Sequence, residues 1–370
     1  METKKRYRKM TKGERFIVVL VTILALLLSY MLIKPILQTW KPFSSAQSVL
    51  NADNSYYAMQ EDVKEEDLQH GLELEQIIQG QYTILCLGMD EEGLNTDVMM
   101  LALFDLAGGK LNILQLPRDT YVAGYTNSET GKLNSVYSQG TLGYDSINNV
   151  VETVKNMFGI PIDSFMAINC NDIPPVVDAM GGIPINVPEQ IIYEPDKVIE
   201  AGEQVIDGQQ SEWFVRFRHD YLQGDIGRMK AQRMFLAAAM QKVKNLGTTK
   251  VMKLFPTFQK YLISDLELGE IGKLSDFAQT VTMDNVTVRM LPGEDVDPAN
   301  FNGYSVWSVH LEETINTLNT YFRPYQEYKY AEDLDLVELQ NTHDYYDNDQ
   351  NSFDEILSGN MESIPRNPEQ

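Results

Sequence analysis

The chain has 370 residues, of which 43% are hydrophobic and 22% are charged, and its formal net charge is -23 at pH 7. This apolar content is sufficient for a folded core and excludes a wholly disordered protein. The strong negative charge excludes a protein that binds nucleic acid through a general basic face, so we expect no nucleic acid among its partners.

The N-terminal segment combines a basic stretch with a long uncharged run. Residues 1–15 contain seven Lys and Arg residues against two Glu, and the 18 residues 16–33 carry no charged side chain. That length reaches the lower end of what a bilayer-spanning helix requires. The basic residues before the run predict a cytoplasmic N-terminus and place the rest of the chain outside the cell. We interpret 16–33 as an uncleaved, single-pass anchor in the cell membrane, with a cleaved signal peptide as the alternative.

Two polar segments flank the part of the chain that has apolar periodicity. Residues 34–80 become increasingly acidic and predict an extracytoplasmic stalk. Residues 325–370 are rich in Asp, Glu, Asn, Gln and Tyr, which predicts a disordered acidic tail. We therefore expect the folded domain within residues 81–295, followed by a C-terminal extension over residues 296–324.

Apolar runs of strand length alternate with helical patterns through this domain. The predicted strands occupy residues 83–87, 98–105, 111–116, 164–169, 183–187 and 283–291. Helical periodicity occupies residues 144–158, 174–180 and 227–245. A tight turn at residues 107–110 indicates that two neighbouring strands are antiparallel. These elements predict a three-layer α/β/α domain with a central mixed β-sheet, preceded by one N-terminal transmembrane helix.

The two cysteines, Cys86 and Cys170, each lie in an apolar run of strand length, and no C-x-x-C spacing occurs. This placement favours buried free thiols, and a disulfide between them is the alternative. The four histidines lack the spacing of zinc ligands, so nothing in the sequence supports a zinc site.

Three arginines, Arg216, Arg218 and Arg228, crowd the segment W-F-V-R-F-R-H-D-Y-L-Q-G-D-I-G-R-M-K-A-Q of residues 213–232. Arginine binds phosphate oxygens bidentately with a charge that does not titrate away. In an acidic chain, this cluster predicts a site for an anionic group. The alternative is a set of surface ion pairs with Asp220 and Asp225.

The spacing of these arginines predicts how they converge. An extended segment at residues 215–218 would present Arg216 and Arg218 on one face, because strand side chains alternate. A helix from residue 227 would place Arg228 and Gln232 one turn apart on one face. The two elements would then direct three guanidinium groups and one amide towards a common point.

Charged side chains also border other predicted strands. Asp90 follows the first strand, Asp97 directly precedes the second, and Arg118 and Asp119 follow the third. Strand ends are where ligands bind in α/β sheets, and two carboxylates suit Mg²⁺, which completes its shell with water and phosphate. Lys132 carries an ammonium that could reach a phosphate. Each of these signals has a plain alternative, namely a solvated loop or a surface ion pair.

The motifs follow one another in a distinctive order. They read L-G-M-D with T-D-V-M-M-L, L-P-R-D-T-Y, K-L-N-S-V-Y, G-I-P-I-D-S-F, V-V-D-A-M-G-G-I-P-I-N-V, D-G-Q-Q-S-E-W-F-V-R-F-R, G-D-I-G-R-M-K-A-Q and L-P-G-E. In this order, over about two hundred residues, the chain resembles the LytR-CpsA-Psr family of Gram-positive cell envelopes. The resemblance implies a Mg²⁺-dependent phosphotransferase. Such an enzyme moves a glycopolymer, such as teichoic acid or capsule, from an undecaprenyl-diphosphate carrier to peptidoglycan.

The resemblance also implies roles for particular residues. Asp90 and Asp97 would hold Mg²⁺ against the diphosphate. Four arginines would surround the same group as catalytic residues, namely Arg118, Arg216, Arg218 and Arg228. Three further side chains would bind or support the substrate, namely Lys132, Gln232 and Asp119.

The sequence departs from the family pattern at three places. Glu92 and Asn95 stand where arginines are usual near the two aspartates, and Ala231 replaces a further arginine in the long helix. These changes remove positive charge beside the expected diphosphate. They keep open a second hypothesis, in which a catalytically weak member binds lipid diphosphate or wall polymer as a scaffold or regulator.

Overall fold

A computed structural model of the chain describes residues 80–122, 124–140, 143–324, 326–342, 350–359 and 364–366. The predicted anchor at residues 16–33 and the stalk up to residue 79 lie outside these ranges. Across the described ranges, no helix is both long enough and apolar enough to span a membrane.

The secondary structure alternates strands and helices along the chain. The described strands are β1 (Gln81–Met89), β2 (Thr96–Asp105), β3 (Lys110–Gln115), β4 (Ser164–Asn169), β5 (Ile183–Val187), β6 (Ile191–Glu194), β7 (Lys197–Ile199), β8 (Gly202–Ile206), β9 (Leu262–Ser264), β10 (Val286–Met290), β11 (Gly293–Val296), β12 (Val306–Val309) and β13 (Gln350–Ser352). The described α-helices are α1 (Asn134–Tyr137), α2 (Tyr144–Phe158), α3 (Ile173–Met180), α4 (Gly208–Arg216), α5 (Asp225–Leu246), α6 (Thr248–Phe258), α7 (Leu268–Thr280), α8 (Leu311–Thr317) and α9 (Phe353–Leu357).

A seven-stranded mixed sheet forms the centre of the domain, with the strand order β13-β10-β3-β2-β1-β4-β9. β2 pairs antiparallel with both β1 and β3, while β4 and β10 run parallel to β1 and β3 respectively. Short antiparallel pairs β5–β8, β6–β7 and β11–β12 lie outside this sheet. The predicted mixed α/β architecture is therefore confirmed.

The central strands are buried on both faces because their side chains alternate between two apolar cores. Leu85 and Leu101 face the core that α2 covers, whereas Met100 and Ala102 face the core that α3, α4 and α5 cover. Helices on both faces of one sheet make the three layers that the sequence predicts.

Helix α2 shows how the sequence builds one of these layers. Its buried stripe follows helical spacing, so one face packs on the sheet while the other stays polar. The stripe includes Ile147, Val150, Val154 and Met157. The helix ends at Gly159, whose φ of 59° is left-handed and suits glycine.

The predicted domain end at residue 295 is wrong, because it falls inside β11. This strand pairs with β12, and Trp307 and Phe322 are buried in the same core as Leu85 and Leu101. Residues 296–324 are therefore part of the domain rather than an extension of it. The local sequence pattern does not show this, because residues 296–324 join the domain through pairing and packing with distant parts of the chain.

The prediction of disorder after residue 325 is also wrong for part of that segment. β13 pairs antiparallel with β10 at one edge of the sheet, and Phe353 in α9 is 0% exposed. Ser352 caps α9 in a reciprocal arrangement with Glu355. An acidic segment with few apolar residues can still be ordered when it only covers the edge of an existing sheet.

The two cysteines are free thiols, as the sequence favours. Cys170 is buried, and Cys86 packs against the second core. Burial raises the pKa of the Cys86 thiol to about 12, so it stays protonated and unreactive at neutral pH.

Candidate functional site

The candidate site lies at one edge of the central sheet. There Met89 of β1 pairs with Thr96 of β2, and Met100 of β2 pairs with Gln115 at the end of β3. β1 and β2 lie so close together at this point that a Cβ on Gly88 would lie only 2.9 Å from the Cβ of Val98. The chain segments that leave these strand ends therefore emerge side by side.

Arg118 follows β3 and lies among three carboxylates. Its Nη1 is 2.6 Å from Oδ1 of Asp97, and its Nε is 3.8 Å from both Asp119 and Asp225. Burial works against the charge, but the charges of Asp225 and Asp97 outweigh it and raise the pKa of Arg118. The Nε group has no hydrogen-bond partner among the described residues. Arg118 thus keeps a permanent charge and a free donor.

Arg228, in the first turn of α5, is the second cation of the cluster and is more deeply buried than Arg118. Its Nη2 lies 2.7 Å from Oδ1 of Asp225, and its Nη1 lies 4.0 Å from Oδ2 of Asp97. The residue is 5% exposed, and burial, followed by the charge of Arg118, lowers its pKa. Nε and Nη2 form no well-aligned hydrogen bond within the described part of the chain. Buried donors of this kind are suited to an incoming anion.

Lys132 reaches the same edge through a short backbone connection. Its Nζ lies 2.9 Å from Oδ2 of Asp119. The carbonyl of Arg118 accepts a hydrogen bond from the amide of Asn134, and Tyr121 forms an isolated bridge with Lys132. These bonds fix the ammonium beside Arg118, where the sequence predicts a basic substrate contact.

Arg218 borders Arg228 from the loop between α4 and α5. Its guanidinium is exposed, and it makes no ion pair with any residue that the structure describes. Its charge contributes to the lowered pKa of Arg228. Arg218 therefore presents an unneutralised cation at the rim of the cluster.

The predicted extended segment at residues 215–218 is wrong, because residues 208–216 form helix α4. The side chain of Asp207 caps this helix and accepts a hydrogen bond from the Gln210 amide, and the Gln210 side chain accepts one from the Asp207 amide. The D-x-x-Q pattern was a readable signal for this start. Only residue 217 and those beyond it leave the helix.

Arg216 consequently faces a different set of partners from Arg218. It ends α4 and pairs with Glu212 one turn earlier and with Glu91 at 3.3 Å. Burial opposes its charge, but the hydrogen bond to Glu212 helps to raise its pKa. The charge of Arg216 is therefore largely neutralised before any ligand arrives.

Gln232 lies on α5 as predicted, but its amide is used within the protein. Nε2 donates to the carbonyl of Val215 at 3.2 Å, and the residue is buried. Gln232 thus supports the C-terminal end of α4 and acts on the cluster through the backbone.

Asp90 organises the loop between β1 and β2. Its two carboxylate oxygens accept hydrogen bonds from the amide of Leu94 and the side chain of Asn95, both at 2.8 Å. Partial burial opposes ionisation, but these hydrogen bonds lower the pKa of Asp90. Asn95, which stands where the resemblance places an arginine, therefore acts as a loop donor.

The donor set at this edge fits a hard cation in chemical type. Asp90 and Asp97 lie at the two ends of one short loop, and a carboxylate oxygen that accepts one hydrogen bond keeps a further lone pair. Among the described residues, no group of three or more acidic, His or Cys side chains is arranged to hold a metal ion. Mg²⁺ often binds through only one or two carboxylates and completes its shell with water and substrate phosphates.

Two carboxylates of the cluster were not assigned to the site from the sequence. Asp225 was considered only as a surface partner, although its i, i+3 spacing from Arg228 places both on one helix face. Asp295 in β11 keeps solvent access, yet desolvation by the surrounding protein, followed by the charges of Asp119 and Asp225, raises its pKa. No local pattern signals Asp295, because β11 reaches this edge only in the folded chain.

Comparison with known proteins places this geometry in a family context. The chain is 28% identical over 243 residues to a polyisoprenyl-teichoic acid–peptidoglycan teichoic acid transferase TagU of Oceanobacillus iheyensis, covering 64% of this chain and 73% of the relative. It is 29% identical over 241 residues to the biofilm regulatory protein A of Streptococcus mutans, covering 58% and 57% respectively. The chain thus spans between about half and three quarters of these relatives.

The fold is similar to that of the crystal structure of TagV from Bacillus subtilis. The TM-score is 0.58 at 22% sequence identity, over 68% of this chain and 98% of the TagV chain. The family model described as "LytR_cpsA_psr family" matches residues 44–322. The chain therefore belongs to the LytR-CpsA-Psr family.

Proposed function

We propose that this chain is a transferase that moves a phosphate-linked glycopolymer from a polyprenyl-diphosphate carrier, namely undecaprenyl diphosphate, to peptidoglycan. The observation that carries the proposal is the convergence of Arg118 and Arg228 on Asp97 and Asp225 at the strand ends of the sheet. The Nε group of each arginine has no hydrogen-bond partner among the described residues. The relative from Oceanobacillus iheyensis, a polyisoprenyl-teichoic acid–peptidoglycan teichoic acid transferase, supports this reaction class.

The chemistry of phosphoryl transfer matches the residues available. Such a reaction asks a protein mainly to position the reactants and to neutralise charge on the equatorial phosphate oxygens. Arg118 and Arg228 would bind these oxygens from the inner part of the cluster. Arg218 and Lys132 would contact them from its exposed rim. A sugar hydroxyl of the wall would attack the phosphorus next to the glycopolymer. A phosphodiester would form, and the lipid would leave as its monophosphate.

The carboxylates would have two tasks when substrate binds. Before binding, Asp97 and Asp225 hold the guanidinium groups of Arg118 and Arg228 in place. We propose that Asp97, with Asp90, also holds Mg²⁺ when the diphosphate is present. Bound Mg²⁺ would neutralise charge on the diphosphate oxygens.

The location of the reaction follows from the N-terminal sequence. We propose that residues 16–33 anchor the chain in the cell membrane and that the folded domain works on the outer side, beside a lipid-linked substrate. A single anchor would keep the site within reach of the carrier head group.

Binding of a soluble polyprenyl diphosphate tests the proposal directly. We expect Arg218→Ala to weaken binding of farnesyl diphosphate about tenfold, because the exposed guanidinium has no competing ion pair. Lys250→Ala on α6 is a matched control, since it also removes an exposed cation, and we expect no change. Equal effects of the two substitutions in titration calorimetry would reject the site.

The loop at Asp90 favours a second candidate function. Asn95 donates to a carboxylate oxygen of Asp90, and Arg216 is occupied by Glu212 and Glu91. A member arranged in this way could bind lipid diphosphate or wall polymer as a scaffold or regulator without efficient transfer. Binding of lipid-linked polymer with no phosphodiester formed on added peptidoglycan would identify this function.

A further inference from the structure

The C-terminal residues pack against the loop that carries Arg218. We name residues 350–359 and 364–366 the C-terminal strap, and residues 217–224 the arginine loop. The strap lies beyond the matched family region, which ends at residue 322. The family resemblance therefore predicts nothing about it.

The first part of the strap is firmly built into the domain. Its strand β13 pairs with β10, and Arg289 of β10 donates from Nε to the side chain of Gln350 at 3.0 Å. Phe353 and Ile356 are buried in the core beneath α5. The strap is thus anchored independently of the site.

The end of the strap contacts the arginine loop through its backbone. The amide of Leu222 donates to the carbonyl of Pro365 at 2.9 Å. Tyr221 and Arg366 form an antiparallel bridge directly beside this bond. The loop therefore acquires a short stretch of sheet-like pairing that its own sequence does not supply.

The side chain of Arg366 covers the inner face of the same loop. Its guanidinium carbon lies 5.2 Å from the ring centre of Phe217 and 4.8 Å from that of Tyr221. It also pairs with Asp220 at 3.7 Å and with Glu189 at 3.4 Å. A cation that lies close to two aromatic rings and pairs with two carboxylates restrains both rings at once.

These two rings lead directly to the site. Phe217 precedes Arg218, and the amide of Tyr221 donates to the Arg218 carbonyl at 3.2 Å. Tyr221 also packs against α5 so tightly that a Cβ on Gly227 would lie 2.5 Å from the Tyr221 Cβ. Gly227 immediately precedes Arg228, so the position of Tyr221 is coupled to both arginines.

We propose that Arg366 is a positioning residue that holds the arginine loop, and through it Arg218, in the conformation that binds the lipid diphosphate. Arg218 makes no ion pair within the described residues, so its position depends on the backbone of the loop. A loop ordered in advance binds with a smaller entropy loss. The role in binding rests on the proposed function, whereas the ordering of the loop does not.

The test compares full-length Arg366→Ala with Lys155→Ala, which removes an exposed cation from α2. Hydrogen exchange of the loop amides reports loop order, and titration with farnesyl diphosphate and Mg²⁺ reports binding. We expect Arg366→Ala to raise exchange in residues 217–224 and to weaken binding about tenfold, with Lys155→Ala unchanged. Arg366→Lys keeps the charge but loses the forked donors that reach Glu189 and Asp220, so an intermediate result is expected. This variant also serves if Arg366→Ala does not fold.

A double variant separates positioning from general stability. If Arg366 acts through Arg218, then Arg218→Ala with Arg366→Ala binds no more weakly than Arg218→Ala alone. Additive losses would overturn the proposal, as would unchanged exchange in the loop. Wild-type chain that binds no farnesyl diphosphate would reject the proposed function, and the exchange result would still decide whether Arg366 orders the loop.

Discussion

Helix α5 carries two buried arginines, Arg228 and Arg233, in different surroundings. Arg228 faces the carboxylates of Asp97 and Asp225 at the open edge of the sheet. Arg233 is 0% exposed, and it donates to the neutral side-chain oxygens of Gln115 and Asn351. The two residues are five positions apart on one helix, yet one lies at the site and the other inside the fold.

The partners of a buried arginine distinguish a structural role from a role in ligand binding. A buried charge is expensive unless its hydrogen bonds are satisfied inside the protein. Arg233 uses neutral amides from two strands, β3 and β13, and so ties the sheet to α5. Arg228 pairs instead with Asp97 and Asp225, whose carboxylates are partly exposed at the edge of the sheet, where an anionic ligand can approach.

The largest expected effect is on stability, at Arg233. Arg233→Ala would leave the side-chain oxygens of the buried Gln115 and the half-buried Asn351 without this donor. We expect the free energy of unfolding to fall by about 3 kcal/mol, measured by denaturant titration with circular dichroism. Lys155→Ala is the control and should leave the unfolding midpoint in place. If the free energy of unfolding changed as little in Arg233→Ala as in Lys155→Ala, a structural role for Arg233 would be rejected.

Substitution of Arg228 is expected to change ligand affinity more than it changes stability. Arg228→Gln removes a charged donor from the anion cluster while keeping a polar side chain. We expect affinity for farnesyl diphosphate to fall about a hundredfold, because hydrogen bonds to charged groups contribute strongly. The unfolding midpoint should change far less than in Arg233→Ala. A loss of stability with binding intact would assign Arg228 to the fold instead.

Asp97 tests whether a metal acts beside these arginines. Asp97→Asn keeps the shape but removes a negative oxygen, so we expect Mg²⁺-dependent transfer to fall about tenfold. The measurement is formation of phosphodiester-linked polymer on peptidoglycan at several Mg²⁺ concentrations. Full wild-type activity in the presence of a chelator would reject the metal.

Arg216 should behave differently from its neighbour Arg218. Its charge is already paired with Glu212 and Glu91. We expect Arg216→Ala to change farnesyl diphosphate affinity by about twofold or less. An effect as large as that of Arg218→Ala would show that Arg216 exchanges its partners for the ligand.

The smallest effect is a pH dependence at Asp295. Because its pKa is raised in the folded chain, the protonated form favours folding, and stability falls as pH rises through the folded pKa. Asp295→Asn should therefore raise the melting temperature slightly at neutral pH and have no effect well below the ordinary pKa of aspartate. Thermal unfolding of both proteins at several pH values measures this effect. A difference in melting temperature that grows as the pH falls would contradict the prediction.

Most of the central architecture was readable from sequence. The apolar runs of β1 and β2 are long and continuous because both faces are buried, and α2 shows a clear helical stripe. The end of α4 is missed by the sequence pattern because residues 215–218 alternate apolar and Arg side chains as a strand does. The capping pattern at Asp207 was the stronger local signal.

The candidate site was only partly readable. Asp97, Arg118 and Arg228 were identified by residue type and motif, and the structure brings them together. Asp295 and Arg366 were not identified, because each acts across a large separation in sequence. The acidic composition of the strap predicted disorder. A few buried residues such as Phe353 are nevertheless sufficient to order a segment that packs on the edge of a sheet.

Local periodicity and motifs are sufficient to predict the order of the longer strands and helices of the central layers, the family and the charged residues of the cluster. Tertiary structure decided which arginine is neutralised, which is enclosed and which remains open. The physical reason is that the effect of a charge depends on partners and burial, and both are created only when distant segments pack together.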